Sequence, residues 1–375
     1  MNPAAVSSLL TAIALLAVLV AVRGVAGTAR TTAVGARLAT VYWLVAALLA
    51  CRLIVDVSTG VAASFVVVAT MMIAAWLPLA GLRLVEELLR RHAPRVAKLG
   101  TLGGALGFSV LALAVGFVWS TGALIALALF QAVTIAVMVT LLLRHRGDLS
   151  QAERAAADTF LIALVATIPL ALTDFRALVP DLPVRGGSFA ILLMVLATSR
   201  VVEGGGAPRR LLADIALCLG GGGLVASVTS GDVAATGLGF ALTALALLVE
   251  RFARSRGTDG GLVSALASID DVDPQTLLAS HPMLSSGRIV EGAALADYPA
   301  TAIAALTRHR SINDATADPD ARDAARDLLE AHAATHLVRL GAVPPRFLAV
   351  SAGSFVSART DAELTLLARL IEAKA

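Results

Sequence analysis

Apolar residues in this chain come in long unbroken blocks rather than in the spaced rhythm of a soluble helix or strand. Nine blocks follow one another: Ala5 to Val22, Leu38 to Val55, Val61 to Leu82, Leu99 to Trp119, Ala123 to Leu143, Thr159 to Leu172, Ser188 to Val202, Leu211 to Val228 and Val233 to Val249. About 20 consecutive apolar residues carry a helix across the hydrocarbon layer of a bilayer. Strands of a membrane barrel would alternate polar and apolar positions, and these blocks do not. The pattern predicts an α-helical polytopic membrane protein of about nine transmembrane helices over residues 1–250. The sixth and seventh blocks are the shortest. The first block lacks a basic stretch before it and is expected to be an uncleaved anchor.

The polar breaks between blocks carry the topology. The breaks after blocks one, three, five, seven and nine hold three, five, three, three and three Lys/Arg residues, Arg200 being counted with the seventh. The densest is Arg83 to Lys98, read as a loop. The alternate breaks hold only Arg52, Arg176 and Arg185. An excess of Lys and Arg marks the cytoplasmic side. The expectation is an inner-membrane protein with a periplasmic N-terminus and a cytoplasmic C-terminal region.

Composition agrees with the blocks. Of the 375 residues, 58% are hydrophobic and 15% charged, against roughly 45–50% and 25% in soluble domains. Residues 1–250 carry a net charge of +5 and residues 251–375 a net charge of −2. The basic character therefore belongs to the membrane breaks, and no nucleic-acid partner is expected. Cys51 and Cys218 each sit in an apolar block and read as small hydrophobes, without a disulfide.

After Val249 the alternation shortens. Leu262 to Ile269 and Pro274 to Ala279 read as short helices, Arg288 to Glu291 as a strand and Ala300 to Thr307 as a helix. Asp318 to Ala333 has Pro319 in its first turn and Ala324, Leu328 and Leu329 on one face, which predicts a helix. His336 to Leu340 and Phe347 to Val350 read as strands joined by Gly341 to Pro345, and Thr360 to Ala373 as a final amphipathic helix. This is a small α/β domain, residues 251–375. Arg346-Phe-Leu-Ala-Val-Ser-Ala-Gly353, followed by Asp361-Ala-Glu-Leu-Thr-Leu-Leu-Ala-Arg-Leu-Ile-Glu372, resembles the end of a GAF domain over about 30 residues. The layout of many spans before a GAF-like tail is similar to the input half of bacterial membrane sensor kinases. No phosphoacceptor helix or ATP-lid glycine motif accompanies it. The resemblance thus implies signal input or a regulatory subunit, not phosphotransfer.

Candidate chemistry is sparse. Ionisable side chains within spans are the default functional suspects. Arg52 and Asp56, one helical turn apart and able to pair, together with Asp174 and Arg176, either anchor the helix ends at the outer interface or rim a pocket on the outer face. Asp158 and Asp214 are placed at the cytoplasmic interface. Glu250, Arg251, Arg254 and Arg256 are the expected signal linker from the last span to the tail. Gly204 to Gly206 and Gly220 to Gly223 lack the Gly-Lys-Ser/Thr ending of a phosphate loop. Small-residue spacings at Gly100, Gly103, Gly104 and Gly107 suit helix packing, with a homodimer face as the alternative. His332 and His336 lack a third metal ligand, Ser351 and Ser354 lack an assigned base, and Asp270, Asp271 and Asp273 lack the rest of a calcium loop. No metal, cofactor or catalytic constellation is expected.

These readings converge on a non-enzymatic sensory or regulatory protein. It would bind membrane lipids or a small apolar ligand and act through a cytoplasmic protein partner or kinase. A transporter or channel, and a scaffold subunit of a membrane complex, are the alternatives.

Overall fold

The computed structural model describes the chain except for residues 1–2, 32, 90, 115–120, 150, 175–185, 203–207, 258–283, 285–286, 314–316, 333, 351–361, 363 and 370–375. The chain divides into two compact units, residues 1–147 with 155–255, and residues 148–154 with 256–375.

The first unit is helical. Its described helices are α1 (Pro3–Thr31), α2 (Ala33–Val57), α3 (Gly60–Leu89), α4 (Arg95–Leu113), α5 (Thr121–His145), α6 (Gln151–Leu172), α7 (Gly187–Val202), α8 (Pro208–Val228) and α9 (Val233–Gly257), apart from residues 151–154 of α6 and 256–257 of α9, which fall in the second unit. All but α7 are long and apolar enough to cross a membrane. A helix satisfies every backbone donor and acceptor inside one segment, as a hydrocarbon solvent requires. Side-chain hydroxyls are treated the same way. Thr40, Thr70 and Thr140 each donate to the carbonyl four residues back, at 2.9, 2.7 and 2.8 Å.

Three boundaries differ from the sequence expectation. The stretch Arg83 to Lys98 is mostly helix, not loop, because Leu84, Val85, Leu88 and Leu89 are buried and keep α3 folded beyond its apolar block. Glu86 then closes the turn, accepting from the Ala93 amide at 2.6 Å and pairing with Lys98 at 2.7 Å. Helix α6 begins at Gln151, eight residues before the predicted Thr159, since Glu153 in its first turn complements the helix dipole. Helix α7 has 16 residues, or about 24 Å at the usual rise, short of the roughly 30 Å hydrocarbon core. Ten of those residues are buried, so α7 is enclosed by other helices and its length need not match lipid. It packs on α1, which in turn packs on α2; α3 packs on α2, α4 and α5.

The glycine-rich helices use some of their small residues and leave others open. A Cβ on Gly239 of α9 would fall 2.9 Å from the Gly221 carbonyl oxygen and 2.7 Å from Val225 Cγ2, both on α8. A Cβ on Gly223 would meet nothing within 4 Å. Gly239→Ala should therefore push α8 and α9 apart and cost about 1–3 kcal/mol. Gly223→Ala should stay within about 0.5 kcal/mol of the parent. Thermal unfolding of the two variants in one detergent checks the contrast. Gly104 packs against the Phe130 ring, whereas Gly100, Gly103 and Gly107 have open space above them.

The second unit contains a four-stranded antiparallel sheet of order β1-β4-β3-β2. The strands are β1 (Arg288–Glu291), β2 (Ser311–Ile312), β3 (His336–Ala342) and β4 (Pro345–Val350). Helices α10 (Ala300–Arg308) and α11 (Arg322–Ala331) accompany them among the described residues, and residues 364–369, within the expected final helix, are helical too. Strands β3 and β4 reach further toward each other than expected, leaving Val343–Pro344 as their connection. Strand β2, too short to show a period, was not anticipated. Asp318 caps the turn before α11 by accepting from the Asp320 amide. Side chains alternate across the sheet with the period of a strand. Val290, Leu337, Phe347 and Ala349 face a core built with α10 and α11. Val338, Leu348 and Val350 face a second core with Leu284, Leu364, Leu367 and Ala368. With its described strands antiparallel, the unit is α+β rather than built from βαβ crossovers. The expected helices at Leu262 to Ile269 and Pro274 to Ala279 lie outside the described residues.

Candidate functional site

The helix ends that carry few basic residues come first. Arg52 on α2 reaches across to Asp174, just past the end of α6, at 2.6 Å, with both side chains about four-fifths covered. It does not pair with Asp56 one turn away; Asp56 accepts instead from the Ser8 hydroxyl of α1 at 2.6 Å. Asp174 is fixed by a second contact, accepting from the Gly187 amide at 2.9 Å, while Thr173 accepts from the Gly186 amide at 2.8 Å. These two side chains cap the start of α7, where a carboxylate is favoured by the exposed amides and the helix dipole. The glycines are required there: a Cβ on Gly186 would lie 2.6 Å from the Leu170 carbonyl oxygen. Three of the four expected outer residues are thus tied into contacts between helices, joining α1 to α2 and α2 to the α6–α7 turn. Arg176 lies outside the described residues. Among the described residues, Arg52, Asp56 and Asp174 form a latch between helices with their polar groups engaged.

The opposite ends of α7, α8 and α9 hold a more unusual group. Asp214, 1% exposed, sits in the second turn of α8. Arg200, near the end of α7, grips it with both arms of its guanidinium, Nε to Oδ2 at 2.8 Å and Nη2 to Oδ1 at 2.7 Å. Arg251 of α9 approaches the same carboxylate, Nη2 to Oδ2 at 2.5 Å. Its other arm donates to the Ser199 hydroxyl at 2.8 Å and, more weakly, to the Leu196 carbonyl at 3.4 Å. The Arg251 residue is 8% exposed. One carboxylate therefore ties three helices together. Burial of such charges is costly unless each finds partners, and here the fork geometry of arginine supplies them.

Two cavities flank this group. One, about 170 Å³, is bounded by α2, α3, α5, α6 and α7 and is apolar apart from Tyr42, Thr167 and Thr198. The second, about 150 Å³, is bounded by Val20, Ala21, Gly24 and Val25 of α1, Tyr42 of α2, Ser199 and Val202 of α7, and Leu248, Arg251 and Phe252 of α9. Tyr42 lines both, and its hydroxyl is hydrogen-bonded to that of Thr198. A tyrosine in apolar surroundings needs such a partner for its polar end.

Of the expected signal linker, Arg251 is drawn into this buried group and Glu250 is exposed beside it. Arg254 and Arg256 lie on α9, which runs to Gly257; their side chains lie outside the described residues. The sequence places Asp214 at the cytoplasmic interface, counts Arg200 with the basic breaks and Arg251 with both the breaks and the signal linker, and does not bring the three together. An acid inside an apolar block, Asp214, with Arg200 and Arg251 at the ends of the helices before and after it, is the signal the sequence offers. The Arg146–Asp158 pair, at 3.4 Å, joins the same residue types but stays half-exposed on the arginine side. In the tail, His336 is buried and shares a hydrogen bond with the Thr335 hydroxyl at 2.9 Å. Comparison with protein-family models, with curated proteins and with solved structures finds no match for this chain.

Proposed function

We propose that this is a membrane-embedded sensory or regulatory protein with a binding and signalling role rather than a catalytic one. Occupancy of a cavity in the helical unit biases the packing of α1, α2, α7 and α9. The bias passes along α9 to a GAF-like, cytoplasmic regulatory tail and its protein partner. The observation that carries the reading is the composition of α9. One continuous helix supplies Leu248, Arg251 and Phe252 to the cavity wall, contributes Arg251 to the buried ion group, and then runs on to Gly257. A ligand that distinguishes two packings shifts their populations by its difference in affinity.

A transport pathway would need polar groups turned toward a water-accessible route. Here the hydroxyls of Thr40, Thr70 and Thr140 are engaged by their own helices, and the larger cavity is lined mostly by hydrocarbon. Both support sensing over transport.

The test uses the full-length chain in nanodiscs. Ala190, buried on α7, lines the larger cavity, and Ala190→Leu fills part of it. Amides of the tail strands should change their hydrogen-exchange rates at least twofold relative to the parent. Identical tail exchange in the two proteins would remove the coupling on which this reading depends.

A further inference from the structure

The smaller cavity has a cation in its wall, Arg251, beside the hydroxyl-bearing Ser199 and Tyr42. Among the described residues, the ten that line it include Arg251 and no acidic side chain. The hydroxyl of Ser199 is already oriented, donating to the Leu196 carbonyl at 2.8 Å while accepting from Arg251. Asp214, which holds the guanidinium in place, is not part of the lining. A guanidinium carries five N–H donors in a fixed fork, and three contacts are made by Arg251: to Asp214, Ser199 and Leu196. The rest of the wall is Val20, Ala21, Val25, Val202, Leu248 and Phe252, with Gly24 and the Tyr42 ring. The volume, about 150 Å³, is that of a cavity able to take one benzene-sized molecule. It suits one hydrocarbon chain segment and is too narrow for the paired chains of a phospholipid.

We infer that this cavity is a binding site for a single-chain carboxylate amphiphile, its head on Arg251 and its hydrocarbon against α1 and Tyr42. A monoanion matches the one cation among the described wall residues. A phosphate monoester, carrying about −1.5 to −2 charges near neutral pH, would leave negative charge uncompensated in a desolvated site. Arginine binds carboxylates through paired N–H donors, and the apolar wall rewards each methylene removed from water.

The inference deepens the sensory reading by naming its ligand class, and it rests on that reading for its consequence in the tail. The test is equilibrium binding of tritiated decanoate to the full-length protein in nanodiscs, with decanol and decyl phosphate as competitors. Decanoate should bind saturably at about one per chain, with decanol at least tenfold weaker. Ala21→Phe, which fills the cavity without touching the ion group, should weaken decanoate at least tenfold while leaving the unfolding midpoint unchanged. Arg251→Gln, if it folds, should abolish the preference for the acid over the alcohol. Equal competition by decanol, tenfold tighter competition by decyl phosphate, or unaltered binding by Ala21→Phe would each overturn the assignment. The two proposals fail separately. Specific decanoate binding with no change in tail exchange removes the coupling alone. A tail response to Ala190→Leu without decanoate binding removes the ligand class alone.

Discussion

Asp214→Ala is expected to destabilise the helical unit by about 3–5 kcal/mol, the loss typical when one partner of a buried ion group is removed. The reason lies in what remains. Arg251 is 8% exposed, and the side chain of Arg200 is 22% exposed. Without the carboxylate, two guanidinium groups stay close together in a poorly solvated place, each deprived of its strongest contact. The attraction lost is only part of the cost; the larger part is charge left buried without compensation. A combined replacement separates the two. Asp214→Leu with Arg200→Met and Arg251→Met removes every charge of the group together, and should recover most of the stability lost by the single change. Unfolding in graded denaturing detergent measures all the variants on one scale. If Asp214→Ala costs less than about 1 kcal/mol, the ion group does not hold α7, α8 and α9 together.

The contrast between this group and the spans shows what a linear sequence exposes. The spans were legible because the bilayer imposes one requirement on every segment, a run of apolar residues of sufficient length. Their ends were less so. Leu84, Val85, Leu88 and Leu89 continue α3 past its apolar block, because a protein-facing stripe sustains a helix after the lipid has ended. The ion group was hidden for a different reason. Its members lie 14 and 37 residues from Asp214 along the chain, and each alone looks like a charge marking a helix end. Their meeting depends on which helices become neighbours. The cavity wall depends on the same choice, since α1 packs against α7 across about half of the chain. At the helix ends with few basic residues, Arg52 and Asp56 have the spacing of a pair. The structure gives Asp174 to Arg52 because the α7 start already holds that carboxylate within reach. In the tail, the two-residue period of Phe347 to Val350 was readable, and it sorts these side chains to opposite cores.

Phe347→Ala should have the largest effect in the tail, about 3–5 kcal/mol, the range for deleting a buried aromatic ring. Phe347 is fully buried, on a strand hydrogen-bonded on both sides, paired with Val290 of β1 and Arg339 of β3. Its ring belongs to the core that joins the sheet to Leu306 of α10 and to Leu328 and Leu329 of α11. The helices cannot close over the missing ring without leaving the sheet, so a cavity persists and adds to the lost transfer energy. A domain of this size has about 5–15 kcal/mol to lose; the change therefore consumes much of its margin. Each 1.4 kcal/mol is about tenfold in an opening equilibrium. Amides of β3 and β4 in the full-length chain should then exchange roughly 100- to 3,000-fold faster than in the parent. Val343→Ala, at a position 96% exposed in the β3–β4 connection, should leave the same amides within about twofold, as surface substitutions do. Exchange at β3 and β4 changed less than tenfold by Phe347→Ala would mean that the ring is not the keystone of this core. The tail's rigidity would then have to come from the opposite face, where Leu348, Leu364 and Leu367 meet.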